Sequence, residues 1–303
     1  MTSRRGEGLT MHGVVVGVSG SAESDAALDW ALTEAASRHV PLTALLAWTG
    51  PRGVQPHEYQ DLLERRREDL LALLDASVRR TGLTDVDVTA SVAEGDAAES
   101  LVTVAQDVEM LVLGRRRRGR FGRLVLGSVS SEVVERADVP VTVVRAPHTT
   151  DDDGPDDDGA ADDEPRIVVG VDTSGSSMLA LQHAAEVAQR TGAVLEALFA
   201  WQITTLAPLP GSWGWAPPID DYEAFAAERL DAAIEAAGVT LPPEQLVRSV
   251  VHRSAASALI EASTEAERIV VGARGLGGFD RLLLGSVSRQ VLEYASCPVT
   301  VVR

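Results

Sequence analysis

The chain has 303 residues, 45% of them hydrophobic, and a formal net charge of −18; this suits about two cored domains and argues against general binding to a phosphate backbone. All 27 basic residues are arginines, so a Walker A lysine, a kinase strand lysine and a Schiff-base lysine are all excluded. A single cysteine, Cys297, rules out an intrachain disulfide and fits a reducing cytoplasm.

Residues 1–11 are expected to be disordered, because Arg4-Arg5 is followed by Gly6-Glu7-Gly8 and not by the apolar stretch of a twin-arginine signal. A first domain is expected over 12–146. It opens on the strand-like run VVVGVSGS at 14–21 and reaches a later strand, LVLG, at 111–114. The arginines at 115–118, 120 and 123 follow, in a loop that is either solvated or aimed at a polyanion. VLGSVSSEVV at 125–134 and the terminal strand PVTVVR, closing at Arg145, complete the domain. Trp48 ends its second strand and reads as a core or pocket-wall residue.

Residues 151–164 carry nine acidic and no basic residues, half the net charge of the whole chain. Like charges without an apolar face imply an extended linker, placed at 147–164. Its attraction to the arginines at 115–123 is expected to be weak and screened by salt.

The second domain, 165–303, alternates strands and helices. RIVVGV at 166–171 is a first strand and the periodic run 175–192 a helix ending on Gly192. VLEALFAW at 194–201 is a second strand, ending on Trp201 in the manner of Trp48. A helix over 220–237, a strand at 246–251, a helix over 255–266, the strand RIVVG at 268–272, a helix over 286–295 and the strand PVTVVR at 298–303 follow. Cys297, ahead of Pro298 at the entry to that last strand, reads as a buried structural thiol. No apolar run approaches the ~18 residues of a membrane span. The six histidines form no close cluster, so no histidine metal site is expected.

The halves repeat each other. LVLG, VLGSVSSEVV and PVTVVR recur as IVVG, LLGSVSRQVL and PVTVVR at an offset of 158 residues, while the opening strands match at an offset of 153. Strands apolar on both faces that alternate with helices imply a parallel sheet covered on both sides, doubly wound by right-handed crossovers. A ligand then sits beyond the carboxyl ends of the strands, where the winding reverses.

At that place the second copy carries Gly272-x2-Gly275-x9-Gly285-Ser286, with Arg274 inside the loop. Glycines allow close backbone approach or positive φ, and the helix start offers unpaired N–H groups to phosphate. Ser286 either caps that helix or donates to a phosphate. Asp172 ends strand one; it holds Mg²⁺, hydrogen-bonds a nucleotide, or caps the next helix.

These motifs, the GVD-x-S end of strand one and the PVTVVR terminus, resemble the universal stress protein family over both copies. The resemblance implies two domains, each a five-stranded parallel sheet of order 3-2-1-4-5 with helices on both faces, paired through their last strands, so that 140–144 meets 298–302. It implies ATP, with or without Mg²⁺, held in domain two at Gly170, Asp172, Ala200, Gly272, Arg274, Gly275, Gly285, Ser286 and Val287. The corresponding domain-one positions are Gly17, Ala47, Gly114, Gly127, Ser128 and Val129. Domain one departs from the pattern: Arg117 stands where Gly275 stands, and Ser19 where Asp172 stands. Arg117 either clashes with a positive-φ backbone, fills the pocket, or grips a phosphate.

The expected function is a cytoplasmic, ATP-binding stress-response or regulatory module with little or no hydrolysis, an unidentified protein partner, and a homodimer left open. Two alternatives stand beside it. SGSAES at 19–24 loosely resembles the pyrophosphate loop of PP-loop adenylyl-transferring enzymes, but lacks its second Gly and its Asp. The degenerate first copy also allows a nucleotide-free protein-interaction module.

Overall fold

A computed structural model describes residues 12–51, 53–115, 126–146, 164–202, 218–276 and 284–303. The first half runs β1 Val14–Gly17, α1 Ala22–Arg38, β2 Leu42–Trp48, α2 Pro56–Thr81, β3 Val88–Glu94, α3 Ala97–Val104, β4 Met110–Gly114, α4 Ser128–Arg136 and β5 Val141–Val144. The second runs β6 Arg166–Gly170, α5 Gly175–Thr191, β7 Val194–Trp201, α6 Ile219–Ala236, β8 Leu246–His252, α7 Ala255–Ala262, β9 Arg268–Gly272, α8 Ser286–Tyr294 and β10 Val299–Val302.

The strands are short runs of valine, leucine and isoleucine, buried on both faces near the centre of the sheet. Helix starts follow side-chain chemistry: Ser21, Asp96, Ser174 and Ser254 cap α1, α3, α5 and α7. Gly82 and Gly192, at φ 70° and 75°, end α2 and α5 in the left-handed conformation. Helix α7 stops at Ala262, four residues short of the expected 266. The Ser263 hydroxyl turns back to donate to the Ile260 carbonyl at 2.6 Å and accepts Ser296 N–H at 2.9 Å.

Each half has the order 3-2-1-4-5, and the halves fuse into one ten-stranded sheet, β3-β2-β1-β4-β5-β10-β9-β6-β7-β8. The seam is the expected meeting of the two last strands. It is antiparallel, with Val143, Thr142 and Val141 opposite Val299, Thr300 and Val301. Pairing closes two apolar edges that would otherwise be open to other chains. The reversal of direction also puts the carboxyl ends of the two parallel sets at opposite ends of the sheet.

Thr142 and Thr300 are equivalent positions and face each other across the pseudo-twofold axis, their hydroxyls 2.8 Å apart and fully buried. Thr142→Val alone is expected to destabilise by about 1–3 kcal/mol, because it strands the Thr300 hydroxyl. The double change with Thr300→Val should lie close to wild type. Urea unfolding of the three proteins checks this, and a double variant worse than the single would remove the hydroxyl pair as the cause.

On the α4/α8 side the seam is covered by one apolar core drawn from both halves, including Val133, Val141, Val291 and Val299. Two further cores lie under α5/α6 and under α1/α2, one in each half. The halves also clasp each other at helix ends. Arg145 donates to the Ala295 carbonyl at the end of α8 at 3.2 Å, and Arg303 reciprocally donates to Val134 and Glu135 at the end of α4. Cations suit these carbonyl-rich ends. Arg289 of α8 pairs with Glu135 of α4 at 2.9 Å.

Candidate functional site

In the second half β6 and β9 are neighbours, so the segments after Gly170 and Gly272 leave the sheet side by side. β7 lies on the other flank of β6, which brings the end containing Ala200 to the same margin; Val171 N–H donates to the Leu198 carbonyl there at 2.9 Å. Here the crossover on one side runs to α5 and on the other to α8, the arrangement that leaves a crevice.

Asp172 is the hub. One carboxylate oxygen accepts Ser174 N–H at 3.0 Å and the Ser174 hydroxyl at 2.5 Å; the other accepts Leu276 N–H at 3.1 Å. Ser174, not Asp172, caps α5, with Ser177 N–H at 3.3 Å from its hydroxyl. Thr173 between them sits at φ 67°, unusual for a β-branched residue, and Arg229 of α6 donates to its hydroxyl at 3.0 Å. The Ser176 hydroxyl donates to the Arg274 carbonyl, tying the loop after β9 to the first turn of α5.

The glycines act by close approach. A Cβ on Gly275 would fall on the Asp172 carboxylate, one on Gly272 on the Ser176 backbone, and one on Gly170 on Leu259 of α7. None of Gly170, Gly272, Gly275 and Gly285 has positive φ, which corrects the expectation of left-handed backbone at these glycines. Arg117 itself lies outside the described residues.

Gly285 N–H donates to the Ala273 carbonyl at 2.8 Å, so α8 begins beside Arg274 and Gly275. Gly285 is the N-cap residue, at φ −68° and ψ 155°, and no side chain caps α8. Ser286 is therefore not a cap, and with Val287 it occupies the first turn, where backbone N–H groups lack helical partners. One turn in, the Ser288 hydroxyl donates to the Gly272 carbonyl at 2.6 Å and fixes the helix to the end of β9. The roles of Ser176 and Ser288 were missed from sequence; Ser176 lies in the run TSGSS after β6 and Ser288 in the SVS that opens α8.

The first half repeats the frame with different contents. Gly127 opens α4, again without a side-chain cap, and Ser128 and Val129 follow in its first turn. A Cβ on Gly114 would strike the Glu23 carbonyl of α1, and one on Gly17 would strike Leu113 and Leu101. Ala47 pairs with Ala93 on the neighbouring strand. Ser19, in the place of Asp172, donates only to the Ser21 hydroxyl, at 3.3 Å. Ser21 and Ser24 form the capping box of α1.

Arg115 is not in a solvated loop. It is 3% exposed and donates to the Ala295 carbonyl at 3.4 Å, beside Arg145. Burial, with the Arg145 charge, pulls its pKa down to about 10. The remaining arginines of the run at 116–118, 120 and 123, and residues 151–163 of the acidic segment expected to meet them, lie outside the described residues, as do residues 1–11.

Trp201 is 2% exposed and stacks on His252 at 4.3 Å and on Tyr222 at 6.2 Å. Trp48 packs on Tyr59 at 5.3 Å. Both belong to the walls behind the strand ends. Cys297 is half-buried, and burial raises its thiol pKa to about 12, so it is no nucleophile.

A family description for universal stress proteins matches residues 11–145 and again 165–303. The chain belongs to the universal stress protein family. A universal stress protein of Mycobacterium tuberculosis is 36% identical over 299 residues, covering 96% of this chain and 97% of the relative. One of Mycolicibacterium smegmatis is 32% identical over 308 residues, covering 98% and 99%. Among solved structures, a universal stress protein of Archaeoglobus fulgidus superposes with a TM-score of 0.67 at 20% identity, covering 96% of this chain and 98% of that one. The tandem arrangement is thus shared along nearly the whole length of these relatives. Within this universal stress protein no helix among the described residues is long and apolar enough to cross a membrane.

Proposed function

We propose that the second domain of this universal stress protein binds ATP or another adenine nucleotide, with Mg²⁺ arriving on the phosphates. The observation that carries the reading is the start of α8. Gly285 opens the helix without a side-chain cap, next to Arg274, Gly275 and the Asp172 carboxylate. A helix start of that kind, with an arginine in the adjoining loop, suits a phosphate chain. Gly170, Ala200 and Asp172 then border the nucleoside side of the crevice, and Gly272, Gly275, Gly285, Ser286 and Val287 the phosphate side. The first domain is the weaker candidate, since Ser19 stands in the place of Asp172 and Arg117 in that of Gly275.

Little or no hydrolysis is expected. The chain has no lysine, and Asp172 is engaged by three donors. The protein then acts in the cytoplasm as a nucleotide-dependent module for a protein partner.

Purified protein, denatured and analysed by mass spectrometry, is expected to release an adenine nucleotide. Gly275→Arg should abolish the heat of ATP binding in calorimetry, because its Cβ alone displaces Asp172. An isotherm equal to wild type would overturn the site. No released nucleotide and no heat from wild type would favour an interaction module. Turnover of ATP to AMP and pyrophosphate would favour an adenylyl-transferring enzyme.

A further inference from the structure

Away from the apolar seam, the two halves also meet through charge, where α1 faces α5 and the start of β9. Glu34 of α1 is 3% exposed. It accepts from Arg38 Nε at 2.7 Å within its own helix, from Arg190 of α5 at 2.9 Å, and from Arg268 of β9. Arg268 is 8% exposed and stacks on the Trp30 ring at 4.6 Å. Three guanidiniums thus surround one carboxylate. The other acids nearby are peripheral: Glu109 reaches Arg38 at 3.7 Å from a half-exposed position, and Glu186 acts on Arg190.

Three polar atoms around this carboxylate are buried and unpaired: Arg38 Nη2, Arg268 Nη1 and His183 Nε2. The two guanidinium atoms belong to the same planar groups whose other nitrogens hold Glu34. We propose that the cluster binds a small monovalent anion, chloride being the abundant one, between Arg38 and Arg268.

The reasoning is one of charge and hydrogen bonding together. A water molecule can satisfy an orphan N–H, but it leaves buried cations in excess of acids, and an uncompensated buried charge is costly. An anion answers both demands, and buried unpaired donors in a native structure mark where such an ion belongs. Glu34, Arg38, Arg190 and Arg268 are each less than a quarter exposed, so an ion held there would be largely shielded from solvent. The site is separate from the nucleotide crevice and does not depend on that reading: none of its residues touches the start of α8 or Asp172. Since Glu34 and Arg38 come from one half and Arg190 and Arg268 from the other, the ion would clamp the pseudo-twofold pair.

The test is melting of nucleotide-free, full-length protein in chloride or gluconate at matched ionic strength and pH. Chloride is expected to raise the melting temperature saturably, by about 2–4 °C, and Arg38→Met should lose that increment whatever its own stability. Crystals soaked in bromide should show an anomalous peak between Arg38 and Arg268. Equal melting in the two salts, an increment that survives in Arg38→Met, or bromide crystals with no peak there would each overturn the proposal.

Discussion

Replacing Glu34 by leucine is expected to destabilise the protein by about 3–5 kcal/mol, the usual consequence of removing one partner from a buried ionic group. The change leaves Arg38, Arg190 and Arg268 together with no carboxylate among them, in a place where Arg38 and Arg268 are largely shielded from bulk water. Burial by itself would hold the Glu34 carboxyl protonated, yet Arg268 and Arg38 overturn it and pull its pKa down to about 2. The carboxylate is therefore charged throughout the physiological range. Glu34→Gln should lose most of the same stability, because an amide keeps the shape and one acceptor but not the charge. Urea midpoints with an unchanged m value would report the loss. A loss below about 1 kcal/mol would reduce the cluster to the rank of surface pairs.

Much of the fold is written into local pattern. The valine-rich runs at 14–17, 110–114, 166–170 and 268–272 can hardly be anything but central strands, since apolar residues occupy both faces. The repeat of PVTVVR gives the same edge twice, and an edge that apolar must be covered. The crevice was legible for a similar reason: Gly272, Gly275, Gly285 and Asp172 fall at the ends of neighbouring strands once the winding is granted.

What stayed hidden depends on contacts between distant residues. Arg115 reads as the first of four loop arginines, but its side chain lies against Ala295, 180 residues away in sequence. Glu34 carried a faint signal, lying on the buried stripe of α1 with Leu28, Ala31, Leu32 and Ala35. Its partners Arg190 and Arg268 could not be named without the seam, and repeat symmetry misleads there, because the position equivalent to Glu34 is Val187. The glycines were located correctly, but their physical role was open. Sequence cannot tell a position that needs positive φ from one, like Gly275, where a neighbouring carboxylate takes the space of a side chain.

The second large effect concerns pH. His183 lies on the buried face of α5, and burial first, then the charges of Arg38 and Arg268, push its pKa down to about 3; Arg190 adds to this and Glu34 opposes it. In the unfolded chain the same imidazole takes up a proton near pH 6.5. Below that pH the unfolded state binds one proton more than the folded state, so stability falls as the solution is acidified. The slope is about 1.4 kcal/mol per pH unit until the folded ring titrates near pH 3. Glu34 acts in a lower window. Its folded pKa of about 2 lies below the ordinary 4.5, so its contribution is whole above 4.5 and fades as the pH falls towards 2. Between pH 6.5 and 4.5 the histidine is thus the dominant proton linkage at the junction of the two halves. His183→Leu, which removes a ring whose Nε2 has no hydrogen-bond partner, should flatten the decline of urea stability across that interval. It should leave the steeper loss below 4.5 in place. A variant that declines between pH 6.5 and 4.5 as steeply as wild type would show that His183 is charged in the folded protein, and that the guanidiniums around it are better compensated than the buried carboxylate alone allows.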